Sequence, residues 1–275
     1  EEQLFEAARL SGRMSIQGVQ PKLSAVLSLK DESFFLVDSG GKYILKPQNS
    51  MYPHLPENED LTMKLARTCG IDVPSHGMVW CKDSTLTYWI NRFDRHGRSA
   101  KIPLEDFAQL GGYNRSTKYN SSVEKVISII DTYTTFPEIE RTRFFHRFLF
   151  DFITGNNDMH LKNYSLITRE NRIELSPAYD LLNTTLILPD GDEIALPLNG
   201  KKSRIIRKDI MNYLGIERLR LNQNIINRTL NTIEKAIPRW NELISTSFLP
   251  ENLKTRYMEI IHERLGKMEI RKIIL

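Results

Sequence analysis

Two cysteines in a chain of 275 residues, Cys69 and Cys81, are too few for a disulfide framework or a complete four-cysteine zinc site. Both read as reduced, structural thiols. No uncharged apolar run reaches the roughly 18 residues that a membrane-crossing helix needs. The opening segment EEQLFEAARLSGR carries acids where a secretion signal has a basic stretch and then an apolar one. The expected compartment is therefore the cytosol, with no membrane partner. Charge of one sign is also scarce. Thirty-eight Lys and Arg face 34 Asp and Glu, leaving +4 and no basic block, and no helix-turn-helix element is evident, so direct nucleic-acid binding is not expected. Internal repeats and low-complexity tracts are missing too. What is present, 40% apolar and 26% charged residues, suits a globular protein of one two-lobed body or two compact units.

Residues 23–46 hold the short apolar runs LSAVLSL and SFFLV, a Gly-Gly turn at 40–41 and the run KYILK, which predict a small antiparallel sheet. After a proline-bounded loop, ENEDLTMKLARTCG places Leu61, Leu65 and Ala66 on one helical face, with Gly70 as a stop signal. HGMVW and LTYWINRF, joined by the turn CKDS, read as a strand pair. From Leu104 onward the pattern turns helical: EDFAQLG, VEKVISIIDTYTTF and EIERTRFFHRFLFDFITG. In the last, Phe144, Phe145, Phe148, Leu149, Phe152 and Ile153 form a broad buried stripe. A short hairpin, YSLI-RENR-IELSP, follows a polar loop. Helices around 223–245 and 251–267, interrupted by Pro238 and Pro250, fill the tail. The fold class expected is α+β with two lobes, residues 1–90 carrying the sheet and 91–275 mainly helical.

The loop Gly155-Asn156-Asn157-Asp158-Met159-His160-Leu161-Lys162-Asn163 is polar or charged at six of nine positions. It comes straight after a very apolar helix, so its polar groups must face a cleft or water. It reads either as a solvated connector or as a catalytic loop in which Asp158 accepts a hydroxyl proton and Asn163 holds a metal ion near transferring phosphates. Lys46, at the end of the strand YILKP, could reach ATP phosphates or be solvated. Glu59 could fix that lysine by an ion pair, or serve with Glu57 and Asp60 as helix-start charge. Asp180 in SPAYDLLN could return to the cleft and bind Mg²⁺ with Asn163, or cap a helix. His160 suits a loop-stabilising hydrogen bond better than a base, and Lys162 could neutralise the transferring phosphoryl group or be a surface lysine. The segment Ser15-Ile16-Gln17-Gly18-Val19-Gln20-Pro21-Lys22 has one glycine and matches neither G-x-G-x-x-G nor G-x-x-x-x-G-K-[ST]. By pattern it is a polar turn.

Taken together, SIQGVQPKLS, YILKP, INRFDR, EDFAQLGG, GNNDMHLKNYSLI, SPAYDLLNT and LPLNGKK resemble the HipA-like serine/threonine kinases of bacterial toxin–antitoxin systems. The resemblance implies a protein-kinase-like fold with ATP and Mg²⁺. Asp158 would be the catalytic base, with Lys162 beside it. Asn163 and Asp180 would be the magnesium ligands, and Lys46 would hold ATP phosphates. Gln17, Gly18 and Val19 would lie in a phosphate-covering loop whose Ser15 is autophosphorylated. The nucleotide would also meet His160, and the main chain at Asn91 and Phe93 would hold adenine, with Asn91 standing where the family commonly has Glu. Only fourteen residues precede Ser15, which is similar to the short HipT-type toxin of a three-component system, partnered by a DNA-binding antitoxin and by a small protein that supplies the N-terminal subdomain. An aminoacyl-tRNA synthetase, tryptophanyl-tRNA synthetase in the short form, is the substrate so implied. A small-molecule phosphotransferase and a non-catalytic nucleotide-binding partner are the alternatives.

Overall fold

Short β-branched and aromatic runs punctuated by turns produce the sheet expected for the first lobe. In the computed structural model, which describes residues 20–97 and 100–270, β1 (Leu23–Ser28), β2 (Ser33–Leu36), β3 (Tyr43–Lys46), β4 (His76–Trp80) and β5 (Leu86–Asn91) form one sheet in the order β2-β1-β3-β5-β4. Every pairing in it is antiparallel. Ser15, Gln17, Gly18 and Val19 lie outside the described residues. The Gly-Gly turn has a steric reason: a Cβ at Gly41 would stand 2.8 Å from the backbone nitrogen of Ala25. The register sets Lys46 opposite Tyr88 and Tyr43 opposite Asn91, so the strand-end lysine and the chain's exit toward the second lobe lie on neighbouring strands.

Helix α1 (Leu55–Thr68) packs on β4 and β5. Its first turns bury polar as well as apolar groups: Glu57, Asn58, Glu59 and Asp60 are all at most 6% exposed. A merely solvated helix start does not account for that burial.

In the second lobe β8 (Leu104–Asp106) pairs with β9 (Ser165–Arg169), which pairs with β10 (Arg172–Leu175). A two-residue ribbon, β6 (Arg95–His96) with β7 (Ala100–Lys101), precedes them. EDFAQLG is therefore strand first, then one helical turn, α2 (Phe107–Leu110), started by a capping box between Asp106 and Gln109. Helix α3 (Val123–Tyr133) is capped by Ser122, and α4 (Pro137–Ile153) buries the predicted stripe, with Phe144, Phe145, Phe148, Leu149, Phe152 and Ile153 all at most 6% exposed. Each such side chain contributes roughly 1.5–3 kcal/mol over its exposed state. Two long helices follow, α5 (Gln223–Ser245) and α6 (Glu251–Lys267). Contrary to expectation, α5 runs through Pro238 and forgoes only one backbone bond there, whereas Pro250 stands at the start of α6. A segment the sequence pattern did not reveal, Asp209–Arg218, winds as a wide helix whose end is closed by Leu219 N donating to Leu214 O at 2.9 Å.

The lobes share one core that runs from Leu61, Tyr88 and Ile90 to the α4 stripe. Trp240 of α5 donates to Thr68 Oγ1 at 2.8 Å, and Thr62 meets Tyr257 of α6 at 2.7 Å. Helix α1 is thereby anchored to the helical lobe while carrying Glu59 toward the sheet. Among the described residues no helix is long and apolar enough to cross a membrane.

Candidate active site

Lys46 ends β3 with its ammonium buried, 1% exposed. It donates to Glu59 Oε1 at 2.5 Å and to Asp180 Oδ1, and Lys22 Nζ reaches Asp180 Oδ2 at 3.0 Å. One lysine thus bridges sheet, α1 and the segment after β10. Reciprocal amide bonds hold that geometry: Asn58 Nδ2 donates to Asn183 O at 2.9 Å, and Asn183 N donates to Asn58 Oδ1 at 3.0 Å. Asp180 has φ +54°, a left-handed conformation that costs energy for any residue with a Cβ and persists only where surroundings impose it. Burial alone would raise its carboxyl pKa, but the ammonium groups of Lys22 and Lys46 outweigh burial and hold it well below the usual range. Burial pushes Glu59 up to about 7 against the pull of Lys46. Lys46, despite burial, is held above its ordinary value by Asp180 and Glu59. The arrangement is a charged lysine clamped between two carboxylates.

Lys22, Lys46 and Asp180 stand on the wall of a cleft of about 810 Å³, open mouth included, whose lining also takes in Ile44, Ile90, Asn91, Phe93, Lys162 and Tyr179. Asn91 N donates to Ser75 O at 2.8 Å, so this amide is already engaged within the fold. The Phe93 ring lies 5.7 Å from that of Tyr179. Tyr179 donates to Lys162 O at 3.0 Å, and Lys162 extends its ammonium to Asp106 at 2.7 Å.

The polar loop is rigidly seated. Gly155 has φ +69°, and a Cβ there would come within 2.9 Å of Asn183 Oδ1, so glycine is required. Thr184 Oγ1 accepts from Asn157 N at 2.7 Å, and Thr185 N donates to Gly155 O at 3.0 Å. Asn163 Nδ2 donates to Asp158 O at 2.8 Å, while Arg147 Nη2 donates to Asn163 O at 2.7 Å. Asp158, His160 and Asn163 are at most 6% exposed. His160 departs from expectation. Its backbone stabilises the loop, accepting from Asn163 N at 2.9 Å, but neither ring nitrogen has a hydrogen-bond partner among the described residues. Burial and nearby Lys118 push the ring down to about 3, so it is neutral. Among the described residues no group of three or more His, Cys, Asp or Glu is placed to hold a metal ion.

Residues 14–240 match the HipA-like C-terminal domain. The chain belongs to that family. A putative kinase of Haemophilus influenzae is 30% identical over 94% of this chain and 82% of its own length. Putative kinase Y4dM of Sinorhizobium fredii is 32% identical over 87% of this chain and 62% of its own. The solved HipA of Shewanella oneidensis MR-1, determined with HipB and operator DNA, superposes with a TM-score of 0.75 at 23% identity, covering 96% of this chain and 68% of that one. The fold of this HipA-like chain is thus the two-lobed, kinase-like one.

Several residues packed against the loop that carries Asp158 have no sequence signal. Lys118 and Tyr119 lie in an irregular segment, and burial, aided by the like charges of Arg115, Lys162 and Lys22, pushes Lys118 down to about 8 despite Asp158 nearby. Asp151, on the buried side of α4, takes a hydrogen bond from Asn156 Nδ2 at 3.1 Å. Burial pushes its carboxyl up to about 7 against Arg147 and that bond. The native state therefore holds this proton more firmly than the unfolded chain. Its contribution to stability is complete below the unfolded value of 3.8 and is lost as pH rises through about 7. Asp151→Asn escapes this loss, so its stability relative to the parent is expected to rise between pH 5 and pH 8 by on the order of 2–3 kcal/mol. Urea unfolding of both proteins at the two pH values measures it, and a constant difference would contradict the assignment.

Proposed function

We propose that this HipA-like chain is an ATP-dependent protein serine/threonine kinase, the toxin of a bacterial toxin–antitoxin system. The observation that carries the reading is Lys46, clamped between Glu59 and Asp180 on the wall of the interlobe cleft. A buried lysine held by two carboxylates is poised to exchange one of them for a phosphate oxygen. Ile44, Ile90 and Tyr179 offer apolar surface to a flat base, and Lys22 and Lys162 stand at the same cleft as cations for the phosphates. Asp158 takes the proton of the acceptor hydroxyl. Positioning and charge neutralisation supply most of the rate, since no covalent enzyme intermediate is needed.

The donor set fits magnesium. Asp180 is held ionised, and Asn163, whose Nδ2 is fixed on Asp158 O, has its amide oxygen as a second hard donor. When bound, the ion would be held by Asp180 and Asn163 and would supply positive charge against the phosphates. Asp180→Asn is expected to weaken nucleotide binding roughly tenfold in the presence of Mg²⁺ and far less without it. Calorimetric titrations with and without Mg²⁺ that failed to distinguish variant from parent would exclude this ligand.

The finer parts of the proposal rest on the sequence likeness alone: an HipT-type toxin, autophosphorylation of Ser15 acting as self-limitation, an aminoacyl-tRNA synthetase as acceptor with tryptophanyl-tRNA synthetase preferred, a DNA-binding antitoxin and a small N-subdomain-like partner, all in the cytosol. The purified protein, incubated with γ-labelled ATP, Mg²⁺ and these synthetases, should place label on protein. Label on a small metabolite would favour a small-molecule phosphotransferase, and no transfer at all would favour a non-catalytic partner.

A further inference from the structure

The irregular segment between α2 and α3 docks on the loop that carries Asp158. Tyr119 Oη donates to Asp158 Oδ1. The Tyr119 ring meets His160 edge-on, centroids 4.9 Å apart at 83°, and Lys118 Nζ lies 5.1 Å from the same ring. The backbone joins in, with Leu161 N donating to Lys118 O at 3.5 Å. Asp158, His160 and Lys118 are all at most 6% exposed, so the half-buried phenol rests against a buried polar cluster.

A general base works only when one carboxylate oxygen is aimed at the acceptor, and small errors in that aim cost large factors in rate. A donor fixed on the other oxygen sets the rotation of the carboxylate. We propose that Tyr119 is a positioning residue for phosphoryl transfer, its hydroxyl holding one oxygen of Asp158 so that the carboxylate faces the acceptor hydroxyl. This assignment rests on the kinase reading above. In the step it serves, the acceptor oxygen bonds to the γ-phosphorus, the bond from that phosphorus to the ADP oxygen breaks, and the acceptor proton passes to Asp158. Tyr119 keeps its own proton throughout.

Tyr119→Phe isolates the hydroxyl, because the ring that packs on His160 and under Lys118 is retained. In the labelled-ATP assay, kcat is expected to fall about 10- to 100-fold, with KM for ATP and the thermal midpoint unchanged. In an Asp158→Asn background the same substitution is expected to add no further loss, which a merely structural role would not produce. Tyr119→Leu, which also removes the ring, is expected to lower the midpoint as well. An unchanged kcat, a loss matched by a fall in midpoint or a rise in KM, or an additive loss in the double variant would overturn the assignment. So would a raised kcat, which would make the phenol a blocking mimic of the acceptor. A parent that transfers no phosphate to any acceptor would be a separate result, removing the kinase reading and this role with it.

Discussion

Asp158→Asn is expected to lower phosphoryl transfer by about 10²- to 10⁴-fold, the range over which a general base contributes, while leaving the fold and nucleotide binding in place. The local structure supports so clean a separation. The loop is held through the Asp158 carbonyl, which accepts from Asn163 Nδ2 at 2.8 Å and from His160 N at 2.8 Å, and neither bond involves the carboxylate. An amide oxygen at the same place can still accept from Tyr119 Oη. What it cannot do is take a proton, and it brings no negative charge against Lys118. Transfer measured with labelled ATP, alongside nucleotide titration and thermal unfolding, tests all three parts. Normal transfer by the variant would remove Asp158 from the role of base.

The strands and the α4 stripe were legible because burial acts on short-range patterns: short apolar runs bounded by turns in β1 and β3, and helical spacing in α4. The hairpin after the loop was equally readable, since its two-residue turn at Glu170 and Asn171, at φ +48° and +59°, needs polar residues tolerant of the left-handed region. Less legible was α5 continuing through Pro238, where tertiary burial of Ile233, Ile237 and Trp240 overrides a local helix-breaking tendency. The spacing Asp158 to Asn163 singled out one loop, but Lys22 and Tyr179 on the cleft wall, and Lys118 beside that loop, have no local signature. Lys22 and Asp180 are 158 positions apart in the chain, and only packing makes them neighbours. Glu59 illustrates the boundary well. Its place near a helix start fits either a dipole role or an ion pair, and its burial at 2% exposure against Lys46 decides for the pair.

Lys46→Met is expected to be the most destabilising single change in the cleft, and its cost should depend on pH. Removing one partner of a buried ion pair leaves the other charge uncompensated, typically a loss of about 3–5 kcal/mol. Here the two carboxylates fare differently. Asp180 retains Lys22 at 3.0 Å, while Glu59, 2% exposed, is left without the ammonium that pulls its pKa down. Its carboxyl, already at about 7 in the parent, would move higher and stay protonated at neutral pH, which limits the loss there to on the order of 3 kcal/mol. Above neutrality the unfolded chain, with its ordinary value of 4.5, has already released this proton, while the native state still holds it. The variant is therefore expected to lose stability relative to the parent as pH rises from 7 to 9. Adding Glu59→Gln removes the titrating group, so the double variant should recover part of the stability and lose the added pH dependence. It should not recover phosphoryl transfer, because on the proposed reading the ammonium that meets the phosphates is still missing. Urea unfolding of parent, single and double variants at pH 7 and 9, with transfer assayed on the same preparations, separates the two roles of this lysine. A loss below about 1 kcal/mol in the single variant would contradict the buried clamp. Restored transfer in the double variant would show that Lys46 serves the fold and not the phosphates.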